Sequence, residues 1–220
     1  REQSSHRGVL FGICQGGFDE ARRHESAAFL ARSAVAGCAI GGLSVGEPKG
    51  VMAEMLDASI GELPPEKPRY LMGVGSPEDL WNGVAAGVDM FDCVLPTRVA
   101  RRGALFTPAG RVSVSAARYR ELDAPIDASC DCYACRTFSV AYLNHLFRAK
   151  ELLGYRLASI HNLRFIQRQM ETIRDAILSE TFADARARFL SGYQTADQHV
   201  AAEQRARFRQ RRVVTSVAGK

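Results

Sequence analysis

Short apolar runs alternate with amphipathic stretches over the first hundred residues. The runs are Val9–Ile13, Cys38–Leu43, Tyr70–Val74 and Met90–Leu95. Two of the stretches between them carry apolar residues at helical spacing, namely Ala27, Leu30, Ala31, Ala34 and Val35, and then Met52, Met55, Leu56, Ser59, Ile60 and Leu63. Alternating strands and helices predict an α/β fold with a parallel sheet. The nearly continuous apolar strands indicate that helices cover both faces of that sheet.

Turn and cap residues predict the remaining elements. Ser76 and Pro77 form a typical helix start. Residues 103–114 are predicted to be a hairpin that turns at Ala109–Gly110, and residues 139–153 a helix. A further helix is predicted to begin near His161, with a buried stripe made of Leu163, Ile166, Met170, Ile173 and Ile177. Four strand–helix units are about half of an eight-unit barrel, which needs ~250 residues, but the pattern alone does not separate part of a barrel from an open sheet.

Composition and charge limit the classes of protein to which this chain can belong. Hydrophobic residues make up 46% of the 220 residues, as in globular domains, and neither a membrane-spanning run nor a secretion signal is present. We therefore expect a cytoplasmic protein. The net charge of +5 is compatible with a polyanionic partner without requiring one. Five arginines crowd the C-terminal tail, which is either a solvated segment or a phosphate contact: Arg205, Arg207, Arg209, Arg211 and Arg212.

Three of the six cysteines lie within six residues. Cys130, Cys132 and Cys135 supply a C-x-C-x-x-C cluster, which indicates a metal site in a reducing compartment. A tetrahedral Zn²⁺ needs a fourth ligand, and a Cys₃His set would make the site structural because no position stays open for water. The spacing leaves His145 and His161 as candidates.

Each of the four apolar runs ends in glycine or polar residues. The carboxyl ends of parallel barrel strands line the active sites of such folds, and glycines allow backbone groups to approach a flat ligand. Asp92 stands between Phe91 and Val94, where burial would be costly unless the carboxylate is paired or used. It is therefore either catalytic or a structural acid that caps a loop.

These strand ends resemble the motifs of bacterial-type tRNA-guanine transglycosylases. Four segments carry the resemblance in the same order: Phe11–Gly17, Gly41–Glu47, Tyr70–Gly75 and Phe91–Arg98. The set Cys130, Cys132, Cys135 and His161 resembles the zinc site of that family in order and spacing, which favours His161 over His145. The similarity extends from about Gly8 to Phe189.

The resemblance implies a base exchange in tRNA. Asp92 is then the nucleophile that forms a covalent nucleotide intermediate at the wobble position, where guanine is replaced by the 7-deazaguanine precursor preQ1 during queuosine biosynthesis. The implied base-binding residues are Gln15, Gly42, Leu43 and Met72. Glu47 is expected to orient the peptide of the Leu43 loop towards an aminomethyl substituent, and Val45 is typical of the bacterial subclass.

The resemblance also implies partners. Arg98 and Arg101 are expected to contact nucleotides of a G-containing anticodon loop, although a generic basic loop is the alternative. Phe138, Tyr142 and His145 share one helix face that forms a homodimer interface in the family; burial in the chain's own core fits the sequence equally well. One structural Zn²⁺ per chain is expected.

The implied fold is a (β/α)8 TIM barrel of which only the last four βα units are present. We expect half of the barrel in residues 1–98, a hairpin and zinc-binding subdomain in 99–161, final helices in 162–192 and a basic tail in 193–220. Two acids of the family's N-terminal half, including its general acid/base, have no counterpart here.

The missing acids leave the activity of this chain open. The chain is expected to be a fragment, because it begins with Arg1, or else a split protein or a degenerate member. The alternatives to the full enzyme are a catalytically incomplete tRNA-binding or dimerisation subunit, and a transglycosylase that acts on another tRNA position or on DNA.

Overall fold

A computed structural model describes residues 8–194 of the chain. The arginine-rich tail predicted from the sequence lies outside these described residues. Within them, no helix is long and apolar enough to cross a membrane.

Four parallel strands form one sheet in the order of the chain. They are β1 (Phe11–Cys14), β2 (Gly37–Ile40), β3 (Arg69–Leu71) and β4 (Met90–Phe91), and each pairs with the next. The parallel sheet predicted from the sequence is therefore confirmed. The last strand is shorter than its apolar run, because the chain turns after Phe91 and a helix begins at Leu95.

Three helices connect these strands. They are α1 (Glu20–Ala31), α2 (Lys49–Ile60) and α3 (Pro77–Ala86). The Ser76 hydroxyl caps α3 by accepting a hydrogen bond from the Asp79 amide, as the sequence predicts, and Gly87 ends it in the left-handed conformation. The first apolar stripe is only partly helical, since α1 ends before Ala34.

The sheet is covered less completely than the sequence indicates. All four residues of β2 are buried, and Cys38, Ile40 and the α2 residues Met55 and Leu56 belong to one core cluster. In the flanking strands, however, Ile13 is 49% exposed and Met90 is 46% exposed. The expectation of a sheet buried on both faces is therefore wrong for β1 and β4 of this chain.

A second set of elements follows the short helix α4 (Leu95–Ala100). Strands β5 (Ala104–Thr107) and β6 (Gly110–Ser113) form an antiparallel hairpin. Thr107 pairs with Gly110, so the turn is Pro108–Ala109, one residue earlier than predicted. The helices that follow are a 3-10 turn at Ala117–Tyr119, α5 (Tyr133–Thr137), α6 (Val140–Ala149), α7 (Leu152–Leu178) and α8 (Phe182–Gly192).

Helix α7 differs from its prediction in two respects. It begins at Leu152, so His161 lies within the helix and not at its start. Its apolar stripe is only partly buried: Ile173 is 2% exposed, whereas Leu163 is 44% and Ile177 is 50% exposed. The prediction of a continuous buried stripe is therefore wrong in this chain.

The chain divides into two compact units. Among the described residues, one comprises 8–99 and 166–180, and the other comprises 100–165 and 181–194. The first contains the parallel sheet and its core; the second contains the hairpin and a core around Leu105, Leu143 and Leu157. The sequence predicts domain boundaries after residues 98, 161 and 192. These boundaries refer to the arrangement of a complete (β/α)8 barrel, and they stay predictions.

We expect Ile173→Ala to lower the free energy of unfolding by about 2–5 kcal/mol, because it leaves a cavity in a packed site. Ile177→Ala is the matched control on the same helix, since it makes the same change of helix propensity at a half-exposed position. Its effect should stay within about 0.5 kcal/mol. Denaturant unfolding of both variants measures the difference, and equal losses would contradict the burial described for α7.

Candidate active site and metal centre

The residues that follow the four parallel strands share one edge of the sheet. Gln15 follows β1, Gly42 and Leu43 follow β2, Met72 follows β3, and Asp92 follows β4. Two further ladder bonds continue past the strands, from the Gly41 amide to the Cys14 carbonyl at 3.0 Å and from the Met72 amide to the Ile40 carbonyl at 3.1 Å. Because parallel strands end in the same direction, this edge gathers the residues predicted to bind the base.

Asp92 is held by two donors from the neighbouring strand and its loop. The Tyr70 hydroxyl donates to Oδ1 at 2.6 Å, and the Gly73 amide donates to the same oxygen at 2.8 Å. Gly73 has φ +73°, a backbone conformation that residues with a Cβ rarely adopt. Asp92 itself is exposed, so the cost of burying an acid does not arise at this position.

These hydrogen bonds determine the ionisation of the pair. The Tyr70 hydroxyl, followed by the Gly73 amide, lowers the pKa of Asp92, while hydrogen bonding to Asp92 raises the pKa of Tyr70. A carboxyl with a lowered pKa contributes stability above its ordinary pKa and loses it as the pH falls through the lowered value. At neutral pH the pair is therefore a carboxylate and a neutral phenol.

The Gln15 amide packs directly on the glycines after β2. A Cβ on Gly41 would lie 2.6 Å from Gln15 Nε2, and a Cβ on Gly42 would lie 2.7 Å from Gln15 Oε1. Gly42 also has φ +70°. The two glycines are therefore required for the approach of the Gln15 amide.

Glu47 accepts hydrogen bonds from three successive backbone amides of the loop that follows Leu43. Its Oε1 accepts from Ser44, and its Oε2 accepts from Val45 at 2.9 Å and Gly46 at 3.0 Å. Burial acts to raise the pKa of Glu47, but the hydrogen bonds from the loop amides outweigh it and lower the pKa. The Leu43–Ser44 peptide thus has its N–H directed to Glu47, and its trans geometry turns the Leu43 carbonyl the opposite way.

The other predicted base- and tRNA-contacting residues differ in exposure. Leu43 is buried, Met72 is half-buried, and Arg98 and Arg101 are exposed. Both arginines follow Asp92 in and just after α4.

The structure adds a residue that the sequence reasoning missed. Arg23 in the first turn of α1 is fully buried. Its Nε donates to the Gly17 carbonyl at 2.8 Å, and both terminal nitrogens donate to the Gly41 carbonyl at 3.1 Å. A signal was present, because Arg23 precedes the buried residues Ala27 and Leu30 by four and seven positions and so lies on the apolar face of the helix.

The four predicted zinc ligands come together in the second unit. Cys130, Cys132, Cys135 and His161 are all buried, and their ligand atoms lie within 4.8 Å of one another. His161 Nδ1 lies 3.3 Å from Cys135 Sγ and 3.8 Å from Cys132 Sγ. A tetrahedral zinc with bonds of about 2.0–2.3 Å separates its ligands by about 3.5–3.8 Å, so the cluster fits a structural Zn²⁺ site.

The orientation of His161 is determined by the hairpin. Its Nε2 lies 2.7 Å from the Phe106 carbonyl, which can only accept, so Nε2 carries the proton and Nδ1 faces the thiols. The next residue, Asn162, accepts from the Phe106 amide at 3.0 Å and donates to the Ala104 carbonyl at 3.0 Å. Two consecutive residues of α7 therefore connect the metal ligands to strand β5.

The ligand cluster also favours the ionised form of one thiol, that of Cys132, while the hydrogen bond with Cys132 and burial raise the pKa of Cys135. Hydrogen bonding with Cys135, followed by that with His161, lowers the pKa of Cys132 against the opposing effect of burial. Burial acts against a charge on His161, but hydrogen bonds to Cys130 and Cys132 raise the pKa of His161 to about 9. A thiolate is the form that Zn²⁺ binds.

Tyr142 and His145 lie on the exposed side of α6, but Phe138 precedes that helix and packs against the core of its own unit, so the prediction that all three share one helix face is wrong for Phe138. Val140, Leu143 and Leu146 are buried, whereas Tyr142 and His145 are exposed. Phe138 and Tyr142 stack with their ring centroids 5.2 Å apart. His145 therefore lies apart from the metal ligands, and the alternative in which it is the fourth ligand is wrong.

We expect His161→Ala to lose most of the bound zinc and to lower the melting temperature, because it removes one of four ligands and the link to Phe106. His145→Ala is the matched control and should keep about one zinc per chain. Elemental analysis of the purified variants gives the stoichiometry. Zinc retained by His161→Ala and lost by His145→Ala would contradict the assignment.

Comparison with known proteins identifies one family. A family model described as queuine tRNA-ribosyltransferase matches residues 1–195. A queuine tRNA-ribosyltransferase of Herpetosiphon aurantiacus is 59% identical over 187 residues, which are 85% of this chain and 48% of that relative. Those of Symbiobacterium thermophilum and Dehalococcoides mccartyi are 53% and 49% identical over 91% and 90% of this chain, and over 49% and 51% of their own lengths.

The chain thus spans about half the length of the curated relatives that it matches. The family match covers all of the described residues, including the sheet edge with Asp92 and the Cys₃His cluster. The chain belongs to the queuine tRNA-ribosyltransferase family.

Proposed function

We propose that this chain supplies the nucleophile, much of the base site and the zinc subdomain of a tRNA-guanine transglycosylase. The reaction exchanges the wobble guanine of a tRNA for preQ1 in queuosine biosynthesis, in the cytoplasm where tRNA is found. The observation that carries the proposal is Asp92, an exposed carboxylate held at Oδ1 by Tyr70 and Gly73 at the sheet edge.

The chemistry assigned to Asp92 is a double displacement. Both hydrogen bonds end on Oδ1, so Oδ2 is the oxygen that attacks C1′ of the target nucleoside as the bond to guanine breaks. The incoming base then attacks the same carbon and releases the carboxylate, which preserves the anomeric configuration. The lowered pKa of Asp92 keeps it ionised for the first step.

The base site is assigned to the neighbouring strand ends. The Gln15 amide is suited to a purine edge, the half-buried Met72 offers an apolar face, and the backbone of Gly42 and Leu43 borders the base. Glu47 supports the choice of preQ1. Because Glu47 accepts a hydrogen bond from the Ser44 amide, the Leu43 carbonyl is free to accept a hydrogen bond from the aminomethyl group of preQ1.

The partners follow from exposed residues. Arg98 and Arg101 are assigned to the anticodon loop, since exposed guanidinium groups suit phosphates and base edges. The stacked Phe138 and Tyr142 with the exposed His145 are assigned to a homodimer interface, because Tyr142 and His145 are exposed on the side of α6 away from its buried residues and Phe138 stacks on Tyr142. The parallel four-stranded sheet is assigned to the last four units of a (β/α)8 barrel.

A second candidate function is a tRNA-binding or dimerisation subunit without catalysis. It is favoured by the exposed Arg98 and Arg101, which suit contact with tRNA independently of any reaction at Asp92. That subunit would bind tRNA without forming a covalent adduct. Denaturing electrophoresis after incubation with tRNA separates the two functions, because an adduct that survives denaturation requires a nucleophile.

We expect Asp92→Asn to reduce incorporation of radiolabelled guanine into cognate tRNA by at least about 10³-fold, because the amide cannot form the covalent intermediate. The assay uses the active protein that contains this chain, with the N-terminal half supplied if needed. Asp57→Asn, at an exposed position of α2, is the control and should retain normal incorporation. Normal incorporation by Asp92→Asn would exclude the proposed nucleophile.

The pH dependence gives an independent test of the Tyr70 contact. Tyr70→Phe removes the largest effect that lowers the pKa of Asp92, so that pKa should rise towards its ordinary value of about 3.9. In the pH profile of kcat/KM for guanine, the fall on the acidic side should therefore move to higher pH in the variant. A fall that stays in place, or moves to lower pH, would show that Tyr70 does not set the ionisation of the nucleophile.

A further inference from the structure

Arg23 is a buried cation with no carboxylate close by. Its side chain is fully buried, and among residues 8–194 no carboxylate oxygen lies within 4.0 Å of it. Burying a charge is costly unless hydrogen bonds compensate. An apolar side chain could fill the same volume, so the reason for a guanidinium lies in the groups that it contacts.

Those groups belong to the loops after β1 and β2. The guanidinium joins the Gly17 carbonyl to the Gly41 carbonyl, and Nη1 lies 3.5 Å from the Ser59 hydroxyl of α2. Ser59 donates its own proton to the Met55 carbonyl at 2.8 Å, so its oxygen is able to accept from Arg23. A planar fork with donors on three nitrogens binds the two loops in fixed directions, whereas a lysine ammonium is a single point at the end of a flexible stem.

The same loops carry the residues assigned to the base. Gln15 is two residues before Gly17, and Gly42 directly follows Gly41. A Cβ on Gly42 would lie 3.5 Å from Arg23 Nη2, so the guanidinium lies next to the backbone that borders the base. A Cβ on Gly16 would lie 2.8 Å from the Arg23 amide nitrogen, which shows equally close packing against the other loop.

Opposite charges hold the two ends of the segment after β2. Arg23 binds the carbonyl of Gly41, and Glu47 binds the amides from Ser44 to Gly46. Only Gly42 and Leu43 stand between these anchors. Their peptide groups are therefore confined from both sides, and the Gln15 loop is tied to the same guanidinium through Gly17.

We propose that Arg23 is a positioning residue for base recognition, which fixes the distance between the Gln15 loop and the Gly42–Leu43 backbone. The proposal rests on the proposed function, since it assigns Arg23 to the same base site. Arg23 does not touch the base. It acts by keeping the two sides of the site at the separation that a purine requires.

The kinetic test compares Arg23→Lys with Arg22→Lys in the active protein that contains this chain. Arg22 is adjacent on the same helix, but its side chain is 77% exposed. We expect Arg23→Lys to raise the KM for guanine by about tenfold or more, while the KM for tRNA stays within about twofold. Arg22→Lys should leave both constants within about twofold. An unchanged KM for guanine in folded Arg23→Lys would overturn the proposal.

Amide hydrogen exchange on the same proteins supplies a readout that needs no activity. In Arg23→Lys the amides of residues 15–17 and 41–46 should exchange about tenfold faster or more, while those of the α1 and α2 interiors stay unchanged. Uniform acceleration across both helices would make Arg23 a stability residue only and overturn the proposal, as would unchanged loop exchange.

The two tests separate the proposal from the function on which it rests. If the unmodified protein incorporates no guanine, the proposed function fails, and the exchange experiment still decides whether Arg23 holds the two loops. If it incorporates guanine and only the Arg23→Lys effects are missing, the proposed function stands and the positioning role is wrong.

Discussion

The hydrogen-bond ladder between four parallel strands is the constraint on which the candidate site depends. Strands β1 to β4 contain only two to four residues each. The residues assigned to the base site and the nucleophile follow directly after these strands, so the pairing of the strands sets their positions. The pairing of Leu71 with Phe91 places Asp92 beside the turn at Gly73. A slip of one residue would direct each side chain to the other face of the sheet and would separate Asp92 from both of its donors.

Past the last ladder bonds, which the Gly41 and Met72 amides donate, side chains take over the pairing of the backbone groups. Arg23 satisfies carbonyls, Glu47 satisfies amides, and Asp92 accepts from the amide of Gly73. In the second unit, Asn162 and His161 do the same for Phe106. Such groups are costly to leave unpaired when buried, so the polar residues that define the site also hold its loops in place.

The sequence was sufficient for features that depend on local spacing. The order of strands and helices, the cap at Ser76 and the cysteine cluster follow from short-range patterns. Exposure was predicted less well. Asp92 and Ile177 are exposed because burial depends on which distant segments cover a position, and periodicity carries no such information. Arg23 was missed because a long charged side chain on the apolar face of a helix ordinarily extends its head group into solvent, so its position alone does not predict full burial.

The hydrogen bond between Tyr70 and Asp92 shifts two pKa values in opposite directions: it lowers that of Asp92 and raises that of Tyr70. The carboxyl gives up its proton in unusually acidic solution, and the phenol keeps its own into unusually alkaline solution. The contact therefore widens the interval in which one partner is an anion and the other a neutral donor. Across that interval the pair carries one negative charge, which stays on Asp92.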